Sequence, residues 1–230
     1  MLAPTNQTRR MDCTKIFRQS LVRRWVGVML CLTATACFAC SKRTTQVVAR
    51  ANDDQAVMEA VKTFASDEGE QGREAWDKLS SHPRADLLSV LRRKLGDQKD
   101  RDRILASYIA FALCNLDADY EANRQLIVDV FNSSVENADR VEGLMARLIK
   151  RGDYRLLSTL FAMAPQSDGD LAEGLASTFG EQMQEAPERF HSELSRQPKA
   201  VKDSVCRLMP LGVSDLQRVR HDGIPPCSGQ

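Results

Sequence analysis

Neither a long apolar run nor an excess of one charge is present in this 230-residue sequence. Its formal net charge is +1, without the basic surplus of a dedicated nucleic-acid binder. The uncharged stretch Trp25–Ala39 falls short of the about 20 residues that a membrane-spanning helix requires, which excludes a polytopic membrane protein. With 12 Gly and 8 Pro the chain is not collagen-like, and with 43% hydrophobic residues it is not disordered. Histidine is scarce as well. His82, His191 and His221 are the only three, and no two share an i, i+4 helical face, so zinc-protease geometry is missing. They read as exposed polar side chains. The chain has no G-x-S-x-G, no G-x-G-x-x-G, no Walker loop and no Ser-x-x-Lys, the usual scaffolds of acyl and phosphoryl chemistry. No catalytic residue, metal ligand or cofactor is expected, and the chain does not read as an enzyme.

What is present is unevenly distributed. Residues 1–40 hold six of the 32 Lys/Arg but only one of the 31 Asp/Glu, so residues 41–230 carry a net −4. The basic start, with Arg9, Arg10, Lys15, Arg18, Arg23 and Arg24, gives way to the apolar run and then to small residues. That order describes an export signal, which is set aside from fold reasoning. Met11 is a second possible start, and the flanks of Arg23-Arg24 are poor for a twin-arginine signal.

The end of this segment, Thr33-Ala34-Thr35-Ala36-Cys37, resembles the lipobox of bacterial lipoproteins, although that family usually has Leu where Ala34 stands. The resemblance covers the first forty residues alone. It implies lipidation at Cys37, with Cys40, preceded by Cys37-Phe38-Ala39, as the alternative, and plain secretion or a retained anchor beyond that. Phe38, rather than Asp, follows Cys37. In that family this implies a periplasm-facing place on the outer membrane rather than the inner one. Three acyl chains exceed the two hydrophobic signals that stable anchoring takes. The expected organisation is a signal peptide over 1–36, a lipidated tether over 37–52, and one helical domain over 53–230 with a tail from about 210.

Four further cysteines bear on an oxidising compartment: Cys40, Cys114, Cys206 and Cys227. Cys114 lies in the most apolar segment and reads as a buried thiol. Cys206 and Cys227 bracket a Pro/Gly-containing tail, which a disulfide between them would pin. The C-x-x-C formed by Cys37 and Cys40 lies at the signal junction with no βαβ pattern around it, so a redox or metal motif is discounted.

From Asp53 onward apolar residues recur at helical spacing with no sustained strand alternation. The segment Ile104–Leu116 is apolar nearly all round and should be central. Gly152, Pro165, Pro187 and Pro198 punctuate the junctions, and short junctions make neighbouring helices antiparallel. Hairpins begin near Pro83, Asp119, Asp153 and Pro187, at 34–36 residue steps, and the dipeptide Asp-Tyr recurs at 119–120 and 153–154. The pattern resembles a HEAT-like α-α repeat array over roughly 83–208, with an irregular helical bundle as the alternative. An all-α fold is expected in either case.

Polar clusters offer little chemistry. Asp117, Asp119 and Glu121 resemble the start of a calcium loop, but its glycine is missing and Val128 stands where the last ligand belongs. Asp168-Gly169-Asp170 reads as a capping turn, Glu70/Glu74/Lys78 and Arg92-Arg93-Lys94 as solvated faces, and Trp76 as a core residue rather than an exposed anchor. Asn132-Ser133-Ser134 is a glycosylation sequon only in a eukaryote, which the lipobox argues against. The expected function is a cell-envelope lipoprotein whose non-catalytic helical domain binds a protein partner, as scaffold, assembly factor or immunity-type inhibitor. The net −4 suits a basic partner. An all-α envelope enzyme or small-ligand binder with a cleft between hairpins is the alternative.

Overall fold

The structure, a computed structural model, describes residues 53–212. The expected signal, the tether, Cys37, Cys40, His221, Cys227 and the tail therefore lie outside the described residues. The chain divides into two compact units, Met1–Gln55 and Ala56–Gln230. Of the first unit only residues 53–55 are described, and they are helical. All other described residues belong to the second.

The architecture is all-α. Helix α1 is described over residues 53–66. It is followed by α2 (Glu70–Ser80), α3 (Arg84–Gln98), α4 (Arg103–Asn115), α5 (Tyr120–Ser133), α6 (Ala138–Lys150), α7 (Leu156–Met163), α8 (Gly169–Glu185), α9 (Pro187–Ser195) and α10 (Lys199–Gly212). The turns between them are short, as Pro and Gly dictate. Pro83 caps α3 from outside its first turn, and Pro187 sits at the start of α9, where a missing N–H costs nothing. Asp102 opens α4 by accepting a bond from the Leu105 amide at 2.9 Å. Asp168 stands at the N-cap of α8, but its side chain makes no capping bond, so that part of the sequence expectation does not hold.

Helices α4, α6, α8 and α10 pack in succession, α4 against α6, α6 against α8 and α8 against α10, while α7 meets both α9 and α10. Next-but-one contacts of this kind are what stacked hairpins produce. Helix α4 is the centre, as its composition predicts, with Ile109 through Cys114 all 0–1% exposed. A second group of rings, Phe161, Phe179 and Phe190, joins α7, α8 and α9 with centroids 5.1–6.1 Å apart. Trp76 is half-buried and stacks on Phe64 at 4.5 Å, which settles it as a core residue. At the α1–α2 junction the backbones meet closely. A Cβ on Gly72 would lie 1.8 Å from the Asp67 carbonyl oxygen, so only glycine fits. No helix among the described residues is long and apolar enough to cross a membrane.

Candidate functional site

The turns at one edge of the stack are built alike. After α4, the amide of Ala118 bonds the Leu113 carbonyl at 3.0 Å and that of Asp117 bonds the Cys114 carbonyl at 3.0 Å. After α6, Asp153 bonds Leu148 at 3.2 Å and Gly152 bonds Ile149 at 2.7 Å. Both are Schellman caps, with Asp117 (φ 51°) and Gly152 (φ 105°) in the left-handed position. Each cap ends its helix abruptly and turns the next few side chains toward the same edge.

Those side chains, together with two from α9, surround a concavity of about 480 Å³ lined by Asp117, Tyr120, Arg151, Gly152, Asp153, Tyr154, Arg155, Arg189 and Glu193. Its floor is Asp153, whose carboxylate is 5% exposed. Tyr120 donates its hydroxyl to Oδ2 at 3.0 Å. Arg155 grips both oxygens, Nε to Oδ1 at 2.8 Å and Nη2 to Oδ2 at 3.2 Å, and Arg124 stands 3.4 Å away. A buried carboxylate needs such partners, because an unpaired charge out of water is costly. Burial and the adjacent Asp153 charge push the Tyr120 hydroxyl well above the ordinary tyrosine range, so it remains a donor at neutral pH.

The rim is more exposed. Arg151 donates to the Cys114 carbonyl and to Asp117, both at 3.1 Å, bracing the α4 cap from the next hairpin. Arg155 also reaches Glu121 at 3.3 Å. Glu193 is paired with Arg196 at 2.8 Å. Arg189 lies over the Tyr154 ring, 5.7 Å from its centre, and forms no ion pair among the described residues.

The acids that resembled a calcium loop are thus engaged by arginines: Asp117 by Arg151, Asp119 by Arg92 at 3.0 Å, and Glu121 by Arg124. Among the described residues no group of His, Cys, Asp and Glu is placed to hold a metal ion. The histidines differ from expectation. His82 is half-buried with Nδ1 3.0 Å from the Lys78 carbonyl, and His191 is half-buried with its Nδ1 enclosed and unbonded. His82 lies in the turn between α2 and α3 and His191 on α9, where sequence spacing alone suggested free surface. Glu70, Glu74 and Lys78 are exposed as expected, as are Arg92 and Arg93, whereas Lys94 is half-buried. Cys114 is fully buried, and burial drives its thiol up to about 12. Cys206 in α10 is half-buried and disulfide-bonded, while the Cys227 half of the expected bridge falls outside the described residues.

Sequence reading did not single out Arg155 or Arg189, and it took the two Asp-Tyr dipeptides as a mark of repetition. They are not structurally equivalent. Tyr120 is the first residue of α5, whereas Tyr154 lies in the turn two residues before α7. Their shared property is the site itself, since both tyrosines line the concavity. No protein-family model, no curated protein and no solved structure matches this chain.

Proposed function

We propose that this chain is a cell-envelope lipoprotein, processed before Cys37 and anchored through it, whose helical domain binds a protein partner at the turn edge. One observation carries the binding part: Tyr120, Tyr154, Arg151, Arg155 and Arg189 gather around a single concavity at the ends of adjacent hairpins. Tyrosine and arginine dominate the energetics of protein interfaces, because each offers a large rigid surface with polar ends. Here they are fixed before any partner arrives, by a buried carboxylate and a cation–π contact, so less ordering entropy is lost on association. Scaffold, assembly factor and toxin-neutralising inhibitor are all roles of this class. The disulfide at Cys206 supports an exported chain, since such bonds persist in oxidising compartments.

A small-ligand role is the second reading. About 480 Å³ lies within the range of small-molecule sites, but those are mostly apolar, and this lining is charged and phenolic. The deciding experiment places a photo-crosslinking residue at Ser192, exposed on α9 one turn from Arg189, in the full chain expressed in its own host. The expected result is one dominant protein adduct in the membrane fraction, reduced by Arg189→Glu, on a chain that begins at lipidated Cys37. No protein adduct above background overturns the partner, and an unmodified N-terminus overturns the anchor.

A further inference from the structure

Resting on the reading of the turn edge as a partner-binding surface, we infer that the concavity receives carboxylate side chains of an acidic peptide segment, seated on Arg189 and Arg155 beside Tyr154. The domain as a whole is acidic, which favours a basic partner. Recognition is decided locally, however, by the polar atoms that remain unbonded at the point of contact.

At this edge each carboxylate already has an arginine partner. Both oxygens of Asp153 are taken by Tyr120 and Arg155 beneath the surface. Asp117 is held by Arg151, and Glu193 by Arg196. The donors are not exhausted. Arg155 uses Nε and Nη2 on Asp153 and Glu121, which among the described residues leaves Nη1 without a bonded acceptor on a side chain 62% exposed. Arg189 uses only the face of its guanidinium, on the Tyr154 ring, so the N–H edge stays available. Two guanidinium edges lining one concavity with the Tyr154 phenol suit a carboxylate, which a guanidinium can hold by two parallel bonds. The adjacent ring then takes the methylene stem that carries the acid.

The test uses the full chain in non-ionic detergent and fluorescence anisotropy of a labelled, end-capped hexaglutamate peptide. A capped hexaglutamine serves as comparison, and inorganic phosphate as the small-anion competitor. Hexaglutamate should bind and hexaglutamine should not. Arg189→Gln should weaken binding about tenfold or more, the loss expected for one hydrogen-bonded charge pair. Arg73→Gln, an exposed cation on α2, should leave binding unchanged. Equal weakening by both substitutions would show diffuse attraction and overturn the inference, as would equal binding of the two peptides. Displacement by equimolar phosphate would make this a small-anion site and overturn it too. If hexaglutamate fails while the Ser192 crosslink still captures a protein, the acidic chemistry falls and the partner reading stands. If the crosslink captures nothing, both fall.

Discussion

At the scale of single residues, the stability of this domain depends on a few charges held away from water. Glu142 in α6 is 7% exposed and accepts a hydrogen bond from the Thr178 hydroxyl of α8, while Gly174 leaves it space. Burial raises its carboxyl above the ordinary range. The Thr178 bond and Lys150 oppose that shift, and the charges of Glu68 and Glu181 add to it. A raised carboxyl binds its proton more tightly in the folded chain than in the unfolded one. Its contribution is therefore fully present below the unfolded value and is lost as pH rises through the folded value. Glu142→Gln keeps the shape and the acceptor but removes the charge. It should stabilise the domain at pH 7 by about 1 kcal/mol or more. At pH 4 it should bring little change, as thermal melts at the two pH values would show. A loss of stability at pH 7 would mean that the charge is better solvated than its burial indicates.

Among the elements, the two Schellman caps provide a matched comparison. Gly152 at φ 105° lies where an L side chain is strained, and Asp117 at φ 51° occupies the same place one hairpin earlier. Gly152→Ala should cost about 1–2 kcal/mol by chemical denaturation. Asp117→Gly should lie within about 0.5 kcal/mol of the parent, since relief of the left-handed backbone is offset by loss of the exposed Arg151 pair. Cap positions of this kind were legible in the sequence where Gly or Pro marked them, at Gly152, Pro187 and Pro198. The helix between Ile104 and Leu116 was legible because it is apolar on every side. The pocket was not. Its floor joins Tyr120 to Asp153 across 33 residues, and no local pattern states that two turns so far apart face the same edge. The half-burial of His191 on α9 was hidden for a related reason. Spacing tells which face of a helix is apolar, but not how far a neighbouring helix overhangs its border.

For the molecule as a whole, the question is whether the helices behave as a chain of neighbours or as one cooperative body. In a linear repeat array each hairpin touches only the next, and the ends melt independently of the middle. Arg147 argues against that here. It lies in α6 yet donates to the carbonyls of Phe64 and Ala65, at 2.9 and 3.2 Å, in the last turn of α1 more than eighty residues earlier. Its guanidinium also lies 4.9 Å from the Phe64 ring centre and 4.4 Å from that of Phe111. The α1 helix is therefore closed onto α4 and α6 together, with Trp76 stacked against the same Phe64. Arg147→Met preserves most of the apolar volume but removes both carbonyl bonds and the cation. It should cost about 2–3 kcal/mol. The informative readout is cooperativity. In a Trp25→Phe background, where Trp76 is the only tryptophan, fluorescence reports the α1–α2 region and far-UV circular dichroism reports all helices. The two urea transitions should coincide in the parent chain and separate in Arg147→Met, with fluorescence moving first, because the tie that couples the ends has been cut. Separate transitions already in the parent would mean that the α1–α2 end is an independent cap on a linear stack, and that Arg147 contributes only to local stability.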